Sequence, residues 1–153
     1  MPDIEEVKKF LAGKGIPVLE FAEPTPTSET AALAVGCEVG QIAKTVLFIV
    51  GEKPVAVVTS GDLRVKGSAL KRALGLSGKV RLPGEEEVFA HTGYRPGGVC
   101  PFLLPKELAL VVDSSMRRFE VVYAAAGNDH SAVPVTVDRL LQVTHGAEAD
   151  VCA

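Results

Sequence analysis

Gln41-Ile42-Ala43-Lys44-Thr45-Val46-Leu47-Phe48-Ile49-Val50 is dense in β-branched residues and predicts a strand. Gly51-Glu52-Lys53-Pro54 then reads as a turn, and Val55 to Ser60 resumes with Val and Thr, so a β-hairpin is the simplest account. Alternation along the first strand puts Ile42, Lys44, Val46 and Phe48 on one face. That face is apolar except for Lys44. A lysine there must reach past the sheet, meet an anionic partner, or have its charged form disfavoured by burial.

Upstream of the hairpin, Asp3 can cap a helix whose apolar positions Ile4, Val7, Phe10 and Leu11 follow helical spacing, with Gly13 and Gly15 ending it. Pro17 starts a short strand through Phe21, and Pro24 and Pro26 stiffen the next connection. Thr27 or Ser28 caps an alanine-rich second helix that ends near Gly36. Downstream, Ser68 to Leu76 reads as a helix, Lys79 to Leu82 as a short strand, and Glu85 to His91 as another helix. Leu108 to Val112 and Phe119 to Ala124 are apolar runs separated by Asp113-Ser114-Ser115-Met116-Arg117-Arg118. Ala132 to Thr136 adds a strand, and Val137 to Val143 a final helix capped by Thr136 or Asp138. Many strands with short helices between them imply an α+β or mixed α/β domain on a curved sheet. With no repeat and no linker, residues 1–153 are expected to form a single domain.

Apolar residues make up 47% of the chain and charged residues 23%, which excludes a disordered polar chain. Aromatics are scarce and Trp is absent, so the core should be mainly Val, Leu, Ala and Ile. A formal charge of -3 argues against a broad grip on duplex nucleic acid, which relies on many Lys and Arg contacts to phosphate. One local exception is Leu63 to Gly84, which carries Arg64, Lys66, Lys71, Arg72, Lys79 and Arg81 with no acidic residue after Asp62. Cys37, Cys100 and Cys152 are odd in number and lack metal-ligand spacing, which fits a reducing cytosolic compartment. The acidic N-terminus differs from a signal peptide, and no apolar run reaches the roughly 18 residues of a membrane span. The expectation is a soluble cytoplasmic protein without membrane contact.

The second informative stretch is Thr92-Gly93-Tyr94-Arg95-Pro96-Gly97-Gly98-Val99-Cys100-Pro101-Phe102. Gly97 and Gly98 let backbone amides approach a ligand, and Pro96 and Pro101 stiffen the loop on both sides. Such a loop can present N–H groups to a carbonyl or phosphate oxygen. His130 lies in a polar turn, where a loop residue could meet a ligand, whereas His91 and His145 have no ligand-spaced partner. Cys100 could serve as a nucleophile if His91 or His130 activated it, although a small buried cysteine is the plainer reading.

Taken in order, four segments resemble one family. They are Ala31-Ala32 ahead of a glycine, Gly40-Gln41-Ile42-Ala43-Lys44-Thr45-Val46-Leu47-Phe48, Thr92-Gly93-Tyr94 with Gly97-Gly98-Val99-Cys100-Pro101-Phe102, and Ala126-Gly127 before Asp138-Arg139-Leu140. The chain is similar to the YbaK family, which shares its domain with the editing insertion of bacterial prolyl-tRNA synthetases. The likeness runs from about Thr27 to Val143. It departs from the common pattern where Phe102 is followed by Leu103 instead of another glycine.

The resemblance implies an α+β domain with a curved, mixed, partly barrel-like sheet surrounded by short helices. It implies a trans-editing aminoacyl-tRNA deacylase that hydrolyses the ester of a mischarged tRNA, carrying a small amino acid such as Cys or Ala on tRNA(Pro). Lys44 matches the family lysine and would orient the substrate. Gly97 and Gly98 match the family loop, whose amides would oppose charge on the ester oxygen, with Tyr94, Val99, Cys100, Pro101 and His130 in the substrate-binding set. Because an aminoacyl ester is already activated, the reaction needs no metal, cofactor or triad: backbone donors and the substrate's ribose hydroxyl suffice. The implied partners are the acceptor end of aminoacyl-tRNA and prolyl-tRNA synthetase or an elongation factor, with the protein as monomer or homodimer. The rival readings are a non-catalytic module that docks tRNA ends or a synthetase, and a hydrolase that uses Cys100.

Overall fold

In the computed structural model, which describes residues 2–153, α1 (Ile4–Ala12) begins at Asp3, whose Oδ1 accepts the Glu6 N–H at 2.9 Å. Val7 and Leu11, one helical turn apart, bury its inner face. β1 (Leu19–Glu20) is short, and α2 (Ser28–Val35) follows a capping box made by Thr27 and Thr30, ending at left-handed Gly36. A 3₁₀ turn at Val39–Gln41 leads into β2 (Ile42–Val50), which pairs antiparallel with β3 (Lys53–Ser60) from Ala43 opposite Ser60 to Val50 opposite Lys53. The hairpin is as expected, but β3 starts two residues early. Pro54 is tolerated near a strand start, where the missing N–H costs little.

α3 (Gly67–Leu74), β4 (Val80–Arg81), α4 (Glu85–Thr92) and β5 (Ala109–Asp113) come next, followed by β6 (Val122–Ala124), β7 (Ser131–Val135), α5 (Val137–Thr144) and β8 (Ala147–Ala149). The expected strand from Phe119 is shorter, at Val122–Ala124, and the polar segment before it forms a 3₁₀ helix over Ser114–Arg118 that Asp113 caps. β8 was missing from the sequence reading because its Ala-Glu-Ala has no strand preference of its own; parallel pairing with β5 recruits it.

The sheet order is β1-β7-β6-β2-β3-β5-β8, with β4 also paired to β2. It is mixed: β2 with β6, β3 with β5, and β5 with β8 run parallel. The sheet does not close, so the partly barrel-like expectation gives way to an open sheet with β1 and β8 at its ends. One face carries the main core, where α1, α5 and the segment from Tyr94 to Leu104 pack on Ala43, Val58 and Val112. The other carries a smaller core of Val55, Val57 and Val111 under Leu70 of α3. Among the described residues, no helix is long and apolar enough to cross a membrane.

The C-terminal segment is held by a buried carboxylate. Asp113 Oδ1 accepts the Val151 N–H at 2.8 Å, and Oδ2 accepts the Ser115 N–H at 3.1 Å and the Ser115 hydroxyl. Replacing Asp113 by Ala strands these donors in the interior, and urea denaturation should show a loss of about 2 to 3 kcal/mol.

Candidate active site

β2 is laddered to β3 along its whole length, but on its other side it meets β6 only at Ile42 and Ala43 and β4 only at Ile49 and Val50. Lys44 to Phe48 therefore have no strand beside them there. A cleft of about 220 Å³ opens at Lys44 and Thr45, walled by Thr27, Ser28 and Ala31 at the start of α2, by Tyr123 to Ala125, and by Gly97, Val99, Asn128 and Asp129. That volume is below the roughly 300 Å³ at which drug-sized sites begin, and suits a group the size of an amino acid.

The rim is tied together. Thr25 donates its N–H at 2.6 Å and its hydroxyl at 3.0 Å to the Asp129 carbonyl, joining the approach to α2 to the β6–β7 turn. Across the cleft, an added Cβ at Gly98 would lie 3.0 Å from the Gly127 carbonyl oxygen and 3.2 Å from Asn128 Cα. Gly98 thus permits two loops to touch, and its N–H is already donated to the Arg95 carbonyl at 2.9 Å. Gly97 and Val99 line the cleft, and among the described residues neither N–H has a partner. Of the two expected glycine donors, Gly97 keeps its N–H unpaired among the described residues, whereas that of Gly98 is engaged within the loop.

Lys44 is half-buried and lines the cleft, as does Asp129, an exposed residue whose carboxylate lies beside the His130 ring. On the sheet, Lys44 stands opposite Thr59, and nearby Asp62 is gripped by both Arg118 Nη atoms at 2.9 and 3.0 Å. That guanidinium holds the Asp62 carboxyl below its usual range, with a smaller contribution from Lys44. Thr45 and Asp129 line the cleft but were not singled out from the sequence, and Thr45 is the more unusual of the two. Its Oγ1 is buried without a hydrogen-bond partner, alone among the buried side-chain polar atoms of the described residues. The only sequence signal was a hydroxyl on the core-facing side of a strand otherwise built of apolar residues.

The other expected site residues fall elsewhere. Tyr94 is only 2% exposed and braces the loop by donating its hydroxyl to the Phe102 carbonyl. Cys100 is fully buried, its Sγ 3.7 Å from the same carbonyl, so it packs in the core and does not line the cleft. Pro101 borders a separate cavity. The His130 ring is outside the cleft lining, 3.0 Å from Asp129 Oδ1 and 3.3 Å from Asn128 Nδ2, where it can orient two residues that do line it. Leu103, found where the resemblance led to glycine, has a φ of 55°, so the position keeps the left-handed backbone that a glycine would favour. In the basic stretch Arg81 is neutralised by Glu87, whose carboxyl is brought down to about 2 by that guanidinium and the Gly84 N–H. No group of three or more His, Cys, Asp or Glu side chains among the described residues could hold a metal ion.

Comparison with known proteins places this geometry in context. A family model described as the aminoacyl-tRNA editing domain matches residues 22–143. YwhH of Bacillus subtilis (strain 168) is 32% identical over 137 residues, covering 88% of this chain and 86% of the relative. EbsC of Enterococcus faecalis, described as a candidate Cys-tRNA(Pro)/Cys-tRNA(Cys) deacylase, is 29% identical over 136 residues, covering 86% and 82%. A crystal structure described as a candidate trans-editing enzyme for prolyl-tRNA synthetase superposes with a TM-score of 0.88 at 31% identity, over 100% of this chain and 98% of that one.

Burial pushes the Cys100 thiol up to about 11, and Cys37 and Cys152 are also raised by burial. A nucleophilic cysteine needs the opposite shift. Mass spectrometry should find Cys100 unmodified after iodoacetamide treatment of the native protein at pH 8, and alkylated only in denaturant.

Proposed function

We propose that this chain, which belongs to the aminoacyl-tRNA editing domain family, is a trans-acting deacylase that hydrolyses the ester of a mischarged tRNA. The observation that carries the reading is the single cleft that brings together Lys44, Thr45 with its orphaned hydroxyl, Gly97 and Val99 with unpaired N–H groups, and Asp129. A 3′-aminoacyl adenosine offers complementary chemistry: an α-ammonium for Asp129, an ester oxygen for the backbone donors, and a phosphate for Lys44.

Water attacks the ester carbonyl, the carbonyl oxygen gathers negative charge, and the ribose oxygen leaves with a proton. The Gly97 and Val99 amides oppose that charge from a fixed backbone, which needs no reorganisation as the charge develops. The ribose hydroxyl beside the ester assists, so neither a strong side-chain base nor a metal is called for. The small cleft volume supports a small aminoacyl group such as Cys or Ala, and the EbsC and trans-editing relatives support tRNA(Pro) as the carrier. The remaining bases of the stretch from Arg64 to Lys79 contact the acceptor strand, few enough to be compatible with the overall negative charge. Prolyl-tRNA synthetase or an elongation factor hands over the substrate in the cytoplasm.

Deacylation of tRNAs charged with Cys, Ala, Ser, Thr or Pro tests the reading. One or two small amino acids should be released selectively. Lys44→Ala should lower kcat/KM about 100-fold without loss of fold, the scale of losing a transition-state electrostatic contact. No release from any tRNA, with binding retained, would favour the non-catalytic module. Thr45→Val should move two quantities in opposite directions: it removes an unsatisfied buried hydroxyl, so the free protein gains stability, while kcat/KM falls about ten-fold for want of one hydrogen bond to substrate. Parallel thermal and kinetic assays check both signs.

A further inference from the structure

The glycine loop continues into a second and larger cavity, of about 790 Å³, bordered by Pro101, Leu103 and Leu104. Phe10, Leu74, Leu108 and Val143 complete its apolar walls. Lys14, Lys106 and Arg139 also line it, and none of the nineteen Asp and Glu residues does, in a chain whose formal charge is -3. Among the described residues none of these three cations has a salt-bridge partner. Arg139 is fixed in place, donating from Nη2 to the Lys14 carbonyl at 2.6 Å and from Nη1 to Gln142 Oε1 at 2.9 Å.

The backbone supplies an independent observation. Leu103 and His145 are the only non-glycine residues with positive φ among those described, at 55° and 58°, and both line this cavity. Histidine closing a helix is a common tenant of that region, but a leucine there is unfavourable. Such strain persists where surrounding structure demands it and clusters at ligand sites. Here it coincides with a concave apolar surface of ligand size whose rim carries unneutralised positive charge.

We propose that this cavity binds an amphiphilic anion, a small molecule with an apolar body and one carboxylate or phosphate end. The apolar walls take the body, and Lys14, Lys106 and Arg139 take the head. A nucleic-acid strand would match the cations but leave the leucine walls without a partner. The site is separate from the Lys44 cleft and does not depend on the deacylase reading.

Decanoate and decyl phosphate, each below its critical micelle concentration, are titrated into the ¹⁵N-labelled protein beside decanol, acetate and inorganic phosphate. Both amphiphilic anions should bind at a single site, moving the amide resonances of Leu103, Leu104 and Gln142 to His145, and should weaken as salt is raised. Decanol should bind about ten-fold more weakly, and acetate and phosphate should not bind. The exposed pair Lys14→Gln with Lys106→Gln should weaken both anions about ten-fold while leaving decanol and the unfolding temperature unchanged. Tighter decanoate would identify a fatty-acid-like ligand, and tighter decyl phosphate a phosphomonoester; either supports the site. Decanol binding as tightly as decanoate, shifts confined to other surfaces, or full anion affinity in the folded double variant would overturn it.

Discussion

The asymmetry of β2 is the constraint on which the rest of the site depends. One edge of the strand is laddered to β3 throughout, so its register and twist are fixed, while the other edge is paired only at its two ends. A sheet interior normally leaves no room for a ligand at strand level. Here the unpaired stretch begins at Lys44, so that a lysine and a threonine from opposite faces of one strand both border one cleft.

The loops that complete the cleft are held by contacts with one another and with the core. Gly98 packs on the Gly127–Asn128 backbone, Tyr94 ties its hydroxyl to Phe102, Thr25 reaches Asp129, and His130 braces Asn128 and Asp129. Each contact removes freedom from a segment that borders the cleft, so the unpaired Gly97 and Val99 amides are held in place. Preorganisation of this kind lets backbone dipoles stabilise developing charge without a reactive side chain. The raised thiol of Cys100 is consistent with that division of labour: it belongs to the brace, below the loop it supports.

Much of the fold was legible in the sequence because it was written in local signals. The hairpin, the caps at Asp3, Thr27 and Thr136, and the glycine ends of α2 and α3 rest on short-range preferences that the structure keeps. β8 and the 3₁₀ turn after Asp113 were not legible, because the first exists only through pairing with β5 and the second through a buried carboxylate. Lys44 and the glycine loop could be singled out as chemically unusual residues. Which members of the loop face the cleft could not, since Gly97 and Gly98 look alike until the partner turn is in place. Thr45 and Asp129 escaped for a related reason: a threonine in a strand and an aspartate in a turn are ordinary until the burial of the first hydroxyl and the placement of the second residue at the cleft make them otherwise.

The most direct measurement is a structure, or an amide-shift map, of the protein with a non-hydrolysable 3′-alanylamino or 3′-cysteinylamino adenosine. The aminoacyl group is expected within the cleft, its carbonyl oxygen within hydrogen-bond distance of the Gly97 and Val99 amides, and its ammonium beside Asp129. An analogue that binds elsewhere on the molecule, or binds and leaves those two amides and Thr45 unperturbed, would contradict that expectation.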